Sequence, residues 1–434
     1  MSIQHKELNF IALISIVIGS QIGSGAFLLP SLLAPYGPIG LFGWIISVSG
    51  AISLALIFSE LSSKLPKNGG PHVYVSHAFG RSAGFFTAWI YWLISWSSNS
   101  VLLVTTVNYL TVITGNLTST EIILIEISVL FIITFINILG VKFSGKVETI
   151  LTFLKITPLI ILPILFMFFF DINNLDFHRL SHDNINCSDI SSIISKTALL
   201  TFWCFIGVEC ATTPAESVKN PKKTIPMAII LGTCCVAFIY LMNSISVIGI
   251  TGFNTLLKSS ASYALAMDKV FGSISNIFIS ITAIIVCIGT LNAWTLTSGQ
   301  IAYGAYEDKL FPKIFGKTNK SGAPISALLI SSFGMIPFFI IEQMDFGHGL
   351  DKLIDLLVSI FLIIYLVCCV SYLKMIKIWK KTKVEKIRAY TLSYFAIIFC
   401  LFVLSQDIIA SFTVFIIFII LGIPIFIKNK HNIK

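Results

Sequence analysis

Twelve apolar runs, each of roughly 18 residues or more, follow one another along this chain and leave little between them. They fall near 8–33, 39–61, 83–113, 121–141, 147–170, 192–214, 225–250, 271–304, 323–342, 353–376, 388–405 and 408–427. Each is long enough to cross the hydrocarbon of a bilayer as a helix. In that solvent every backbone N–H and C=O needs an internal partner, so the expected fold is an all-α polytopic membrane protein. Only 11% of the 434 residues are charged and 56% are hydrophobic, which excludes an ordinary soluble globule. Met1 to Glu7 is short and polar, and no small-residue cleavage site follows the first run. No cleavable leader is expected. Eight of the nine cysteines lie in apolar runs and read as small buried hydrophobes. No metal or cofactor is expected.

Lysine and arginine assign the loops to sides. One set of loops holds Lys6, then Lys64, Lys67 and Arg81, then Lys142 and Lys146, then Lys219, Lys222 and Lys223. The same set holds Lys309, Lys313, Lys317 and Lys320, the seven from Lys374 through Arg388, and Lys428, Lys430 and Lys434. The opposite set holds Arg179, Lys196, Lys258, Lys269 and Lys352. Both termini are therefore expected in the cytoplasm. The net charge of +9 is this loop bias, and a nucleic-acid partner is not needed to explain it.

Two runs are interrupted. Gly23-Ser24-Gly25 breaks the first, and two glycines around a serine hold a helix poorly. The sixth, Thr201 to Glu209, carries Gly207 and an ionisable Glu209 in mid-span, where a carboxylate is costly by ~2.5–3.5 kcal/mol. If runs 1–5 and 6–10 are two halves, the breaks occupy matching places. Five is odd, so the halves have opposite orientation, and paired breaks point to a binding site at mid-depth. Glycines for close helix packing are the alternative at each break. The division expected is 1–190 for the first repeat, 191–376 for the second and 377–434 for two further helices and the C-terminus.

The stretch Gly23-Ser24-Gly25-Ala-Phe-Leu-Leu-Pro30 resembles the opening signature of the amino acid–polyamine–organocation (APC) superfamily. Glu60 to Pro66, Gly69-Gly70, Tyr74 and Phe79-Gly80 continue the likeness. So do Trp203 to Glu209, Lys219-Asn-Pro, Ile225-Pro226, Gly289 to Trp294 and Leu310-Phe-Pro312. Tyr91-Trp-Leu, Trp96 with Asn99, and Leu291-Asn-Ala-Trp294 look like the bacterial arginine/agmatine antiporters within it. The resemblance implies ten core spans in two inverted repeats, two further spans, a bacterial inner-membrane location and a homodimer.

It also implies site residues. A half-helix starting near Ser24 offers free N–H groups and the positive end of its dipole to a substrate carboxylate, with Ser20 and Gly23 beside it. Ser20 stands where the subgroup carries Asn. Carbonyls of Trp203 and Ile206, with that of Cys204, suit an α-ammonium. Backbone groups cannot select a side chain, so selection is assigned to Trp294, where a stacked cation gains ~0.5–2 kcal/mol. Trp203, Ser95, Asn99 and Ser359 are placed around it by the resemblance, and a packing aromatic is the plain alternative. Glu209 and Tyr91 resemble an inner gate.

Two departures stand out. His72 replaces a common aromatic and reads either as a solvated loop histidine or as a pH sensor. Lys155 lies inside an apolar run where the antiporters have an apolar residue. It reads either as a proton-exchanging lysine, as in several APC relatives, or as one snorkelling to the interface.

The function expected is transport of a small amino acid or amine in contact with membrane lipid, with no enzyme activity, since no nucleophile–base pair or phosphate loop is present. The first reading is arginine/agmatine exchange. The product gains one net positive charge, so exchange with decarboxylation exports a proton equivalent, as acid resistance requires. The alternative is a proton-coupled amino-acid symporter using Lys155.

Overall fold

A computed structural model describes residues 8–177, 187–258, 262–272, 275–343, 350–406 and 408–433. Lys6, Arg179 and Lys434, used above to assign sides, lie outside the described residues. The described chain is helical, and its one β-type contact is an isolated parallel bridge between Leu8 and Val218.

The α-helices longer than one turn are α1 (Phe10–Gln21), α2 (Gly25–Leu33), α3 (Phe42–Lys64), α4 (Pro71–Phe79), α5 (Arg81–Ser97), α6 (Asn99–Thr114), α7 (Ser119–Ile138) and α8 (Val141–Met167). After them come α9 (Cys187–Phe202), α10 (Pro221–Thr251), α11 (Ser262–Phe271), α12 (Ser275–Glu307), α13 (Ile325–Gln343), α14 (Leu350–Ile378), α15 (Lys383–Leu404) and α16 (Ile408–Ile433). Among the described residues ten helical segments are long and apolar enough to cross a membrane. The first of them, Phe10–Lys64, is 55 residues long and holds two of the expected runs. The fold is thus all-α and polytopic.

Local chemistry sets the helix starts. Thr118 and Thr382 each form a capping box, with Glu121 and Glu385 respectively, where α7 and α15 leave polar loops. Pro71 and Pro221 sit in the first turn of α4 and α10, where their missing N–H has no role.

Side chains are distributed as a lipid solvent demands. Phe135, Phe153, Ile164, Ile398 and Ile416 are exposed, whereas Ser20, Asn137, Thr152, Asn243, Asn292 and Ser298 are buried. That is the reverse of a water-soluble surface. Packing between crossings uses hydrogen bonds as well as contact. Trp44 donates to Ser244, and Thr134 shares a 2.7 Å bond with Ser332.

Both expected interruptions are present. α1 ends at Gln21, Ile22 is extended (φ −81°, ψ 100°), and a helix resumes only at Gly25. α9 passes into a 3-10 turn at Trp203–Phe205, then Ile206 is extended (φ −63°, ψ 128°). The sixth run does not resume as an α-helix. It continues through short 3-10 turns at Cys210–Thr212 and Ala215–Ser217. The third run is divided at Ser98, which keeps helical dihedrals (φ −64°, ψ −21°) between α5 and α6. Helices α4 and α11 lie in stretches that periodicity left as loops.

Candidate functional site

The two interruptions touch. Ser20 Oγ donates to Gly207 O at 3.2 Å, and Trp203 Nε1 donates to Ser24 Oγ at 3.4 Å. Gly25 permits that approach, since a Cβ there would stand 2.5 Å from Cys204 Sγ. Gly207 has φ +108°, a conformation few side chains adopt, and a Cβ there would meet Ser20 Oγ at 2.6 Å. α1 is itself enclosed by α8, α10 and α12, so the first break lies deep in the molecule.

Breaking a helix in a membrane interior orphans backbone groups, and most of them are met by side chains from distant elements. The Tyr240 hydroxyl donates to Gln21 O at 2.9 Å and accepts from Gly23 N at 3.1 Å. Lys155 Nζ donates to Gly19 O at 2.7 Å and Ile22 O at 3.4 Å, and Thr290 Oγ1 also donates to Ile22 O. The indole N–H of Trp294 donates to Ser20 O at 3.0 Å. The N–H groups of Ser24 and Gly25 have no acceptor among the described residues. They open the half-helix α2, whose dipole favours an anion.

A cavity lies at this junction, lined by Ser20, Gln21, Gly23, Ser24, Ser98, Leu102, Trp203, Ile206, Thr290 and Trp294. Six of the expected site residues line it: Ser20, Gly23, Ser24, Trp203, Ile206 and Trp294. Gly25 lies behind the lining against Cys204. Ser95 and Asn99 are buried on α5 and α6, and the wall nearest them is instead made by Ser98 and Leu102. Both polar atoms of the Asn99 amide are without a hydrogen bond. Ser359 is buried on α14, two residues before Phe361, whose ring is 5.4 Å from that of Trp294. The cavity has a volume of about 20 Å³, room for about one water molecule. This conformation is closed around the site, and an amino acid fits only after it widens.

Glu209 follows the second break by three residues. Tyr91 donates to it at 2.7 Å, and the Tyr365 hydroxyl donates to its other oxygen while accepting from Gly207 N. The carboxyl is fully buried, and no basic side chain lies within 4 Å among the described residues. Tyr240, Thr290 and Tyr365 were missed in the sequence. The available signal was a phenol or hydroxyl in mid-run, where a buried O–H needs a partner.

Lys155 corrects one of the alternatives above. It does not snorkel: its side chain is wholly buried at the first break. Glu148 Oε1 lies 3.7 Å away, also wholly buried, and was not singled out in the sequence. Asn292 donates to Glu148 at 2.7 Å, Asn137 donates to Asn292 at 3.0 Å, and Ser144 donates to Asn137 at 2.6 Å. One face of α8 thus carries a continuous polar path from its first turn to the break.

His72 corrects another. It is not solvated but fully buried in the first turn of α4, with Nε2 at 3.3 Å from Asp308 Oδ2, off the line of a hydrogen bond. It stands apart from the cavity. Asp308 lies just beyond α12, and Arg81 donates to its carbonyl at 2.9 Å. Burial alone raises the Asp308 carboxyl, but His72, with Lys67 and Arg81 nearby, holds it below the usual carboxylate range.

A family model described as amino acid permease matches residues 8–433. A cadaverine/lysine antiporter of Escherichia coli (strain K12) is 31% identical over 340 residues, 77% of this chain and 75% of that protein. The putrescine transporter PotE of the same strain is 27% identical over 331 residues, 75% and 74% of the two chains. An arginine/ornithine antiporter of Pseudomonas aeruginosa is 27% identical over 372 residues, 83% and 77%.

Proposed function

The chain belongs to the amino acid permease family, and from that premise we propose that it exchanges a basic amino acid for the amine left by its decarboxylation. That it is a multi-pass secondary transporter of amino acids or amines, not an enzyme, follows from the family and from relatives of that kind. The choice of a basic substrate is our reading. Arginine with agmatine is the pair expected from Trp294, and lysine with cadaverine is the pair exchanged by the 31% identical relative.

The observation that supports it is Glu209, a buried carboxyl next to the second break, held by two phenols and with no basic side chain within 4 Å among the described residues. A substrate cation supplies the missing charge. In our reading the free N–H groups of Ser24 and Gly25 take the substrate carboxylate, the carbonyls of Trp203, Cys204 and Ile206 take its ammonium, and Trp294 stacks on the side chain. The unpartnered Asn99 amide is available once the cavity widens. Tyr91, Tyr365 and Glu209 form the gate. We place both termini in the cytoplasm, and read 1–190 and 191–376 as inverted repeats in a homodimer. The meeting of the two breaks supports the repeat.

The test is substrate binding to the purified transporter. Trp294→Leu is expected to weaken binding of the basic amino acid by about tenfold, the scale of one desolvated cation–π contact, and Ser359→Ala by far less. Equal, small effects of both would remove Trp294 from the site.

One observation favours a second reading. Lys155 occupies the first break with Glu148 beside it, a buried pair able to pass a proton, so coupling to a proton gradient is the competing mechanism. Uptake into empty vesicles under an imposed pH gradient, lost in Lys155→Ala, supports it. Strict dependence on an internal counter-substrate eliminates it.

A further inference from the structure

Away from the central cavity, a groove of about 870 Å³ opens at the basic end of the molecule between α3, α14 and α15. Its construction follows from a few residues. The α14–α15 connection is fixed by Lys381, which pairs with Glu60 and lies 5.3 Å and 5.6 Å over the rings of Tyr372 and Trp379. Tyr372 also donates to Glu60. The other carboxylate in the wall, Glu385, is engaged by its own helix cap at Thr382 N. Both acidic groups therefore already have partners.

Three cations in the wall have no such ion pair, although Lys64 Nζ lies 6.0 Å over the ring of Trp379. Lys64, Lys380 and Arg388 have no carboxylate within 4 Å among the described residues. Below them the groove is apolar, walled by Leu56, Leu392 and Phe395, of which Leu56 and Phe395 are exposed on the outer surface of the helices. Cations at the water boundary above an open apolar channel along the helices match one kind of molecule: a negative head group carrying acyl chains. A second copy of this chain is the competing occupant. A two-fold axis through the cluster would set these cations against their own copies, and the two carboxylates of the wall are already engaged, so charge favours lipid.

We propose that this groove is a binding site for an anionic phospholipid, with Lys64, Lys380 and Arg388 holding its phosphate and the α3–α15 channel holding an acyl chain. The site is distinct from the substrate cavity and involves none of its residues.

The full-length transporter, stripped of native lipid in detergent, is titrated with phosphatidylglycerol or phosphatidylcholine of the same chains, and bound lipid is counted by native mass spectrometry. Phosphatidylglycerol is expected to be retained well above phosphatidylcholine. Lys64→Gln, Lys380→Gln and Arg388→Gln are expected to lower that retention by about fivefold per removed charge. Lys64→Arg with Arg388→Lys is expected to preserve it. Leu56→Trp, which fills the apolar half from outside, lowers retention with all cations intact and serves if the charge variants do not fold. Excess glycerophosphate is expected not to displace the lipid. Equal retention of the two lipids, undiminished retention in the glutamine variants, displacement by glycerophosphate alone, or a lipid-free dimer that the glutamine variants dissociate would each overturn the proposal.

Discussion

A methyl group on Gly25 would stand 2.5 Å from Cys204 Sγ, closer than real side-chain contacts allow. Gly25→Ala is therefore expected to lower exchange by about tenfold while the protein still reaches the membrane, because it forces the two breaks apart at the site. Cys204→Ala removes the clashing sulfur, so the double variant should recover much of the activity. Vesicle exchange rates check both statements, and a fully active Gly25→Ala protein contradicts the close approach. Lys155 and Glu148 make a second residue-scale case. Lys155→Met leaves a carboxyl buried without its cation and is expected to cost about 3–5 kcal/mol of stability. Glu148→Gln combined with it should cost less than the sum of the two single changes. Thermal unfolding of the four proteins in one detergent measures the coupling, and strict additivity would show that the pair does not interact.

At the scale of elements, Asp308 ties α4 to the end of α12 through His72, and the sign of its pH effect is fixed. Its folded pKa is depressed, so its stabilising contribution is present above the ordinary carboxyl value of about 4. That contribution is lost as pH falls through the lower folded value. Wild-type protein is expected to lose more thermal stability than Asp308→Asn between about pH 5 and pH 3. Identical losses would exclude a role for this carboxylate. How legible the elements were in the sequence follows from the same physics. Both breaks could be read directly, because glycines and a carboxylate in an apolar run are local signals. Their partners could not, since Tyr240 meets Gln21 and Tyr365 meets Glu209 across more than 150 positions of sequence. His72 was misjudged because Pro71 starts a helix after Gly70, which turns a loop position into a buried one. The path after Gly207 was also unreadable: hydropathy does not distinguish an α-helix from a chain of 3-10 turns.

For the whole molecule, the closed cavity has a mechanistic consequence. Space for about one water cannot hold an arginine or a lysine, so the cavity has to widen before such a substrate enters. A widening of the chamber around a fixed site is the kind of change alternating access uses. The polar path from Ser144 to Lys155 runs along α8 and ends against the first break, where Lys155 donates to Gly19 O.

The most direct test of this account is counterflow into reconstituted vesicles, with labelled arginine or lysine outside. The inside is loaded singly with agmatine, cadaverine, putrescine, a neutral amino acid or nothing. The account predicts rapid entry of one basic amino acid driven by the amine that corresponds to it, little entry with neutral amino acids inside, and almost none into empty vesicles. Equal entry into empty and amine-loaded vesicles, or faster exchange with neutral amino acids than with amines, would contradict it.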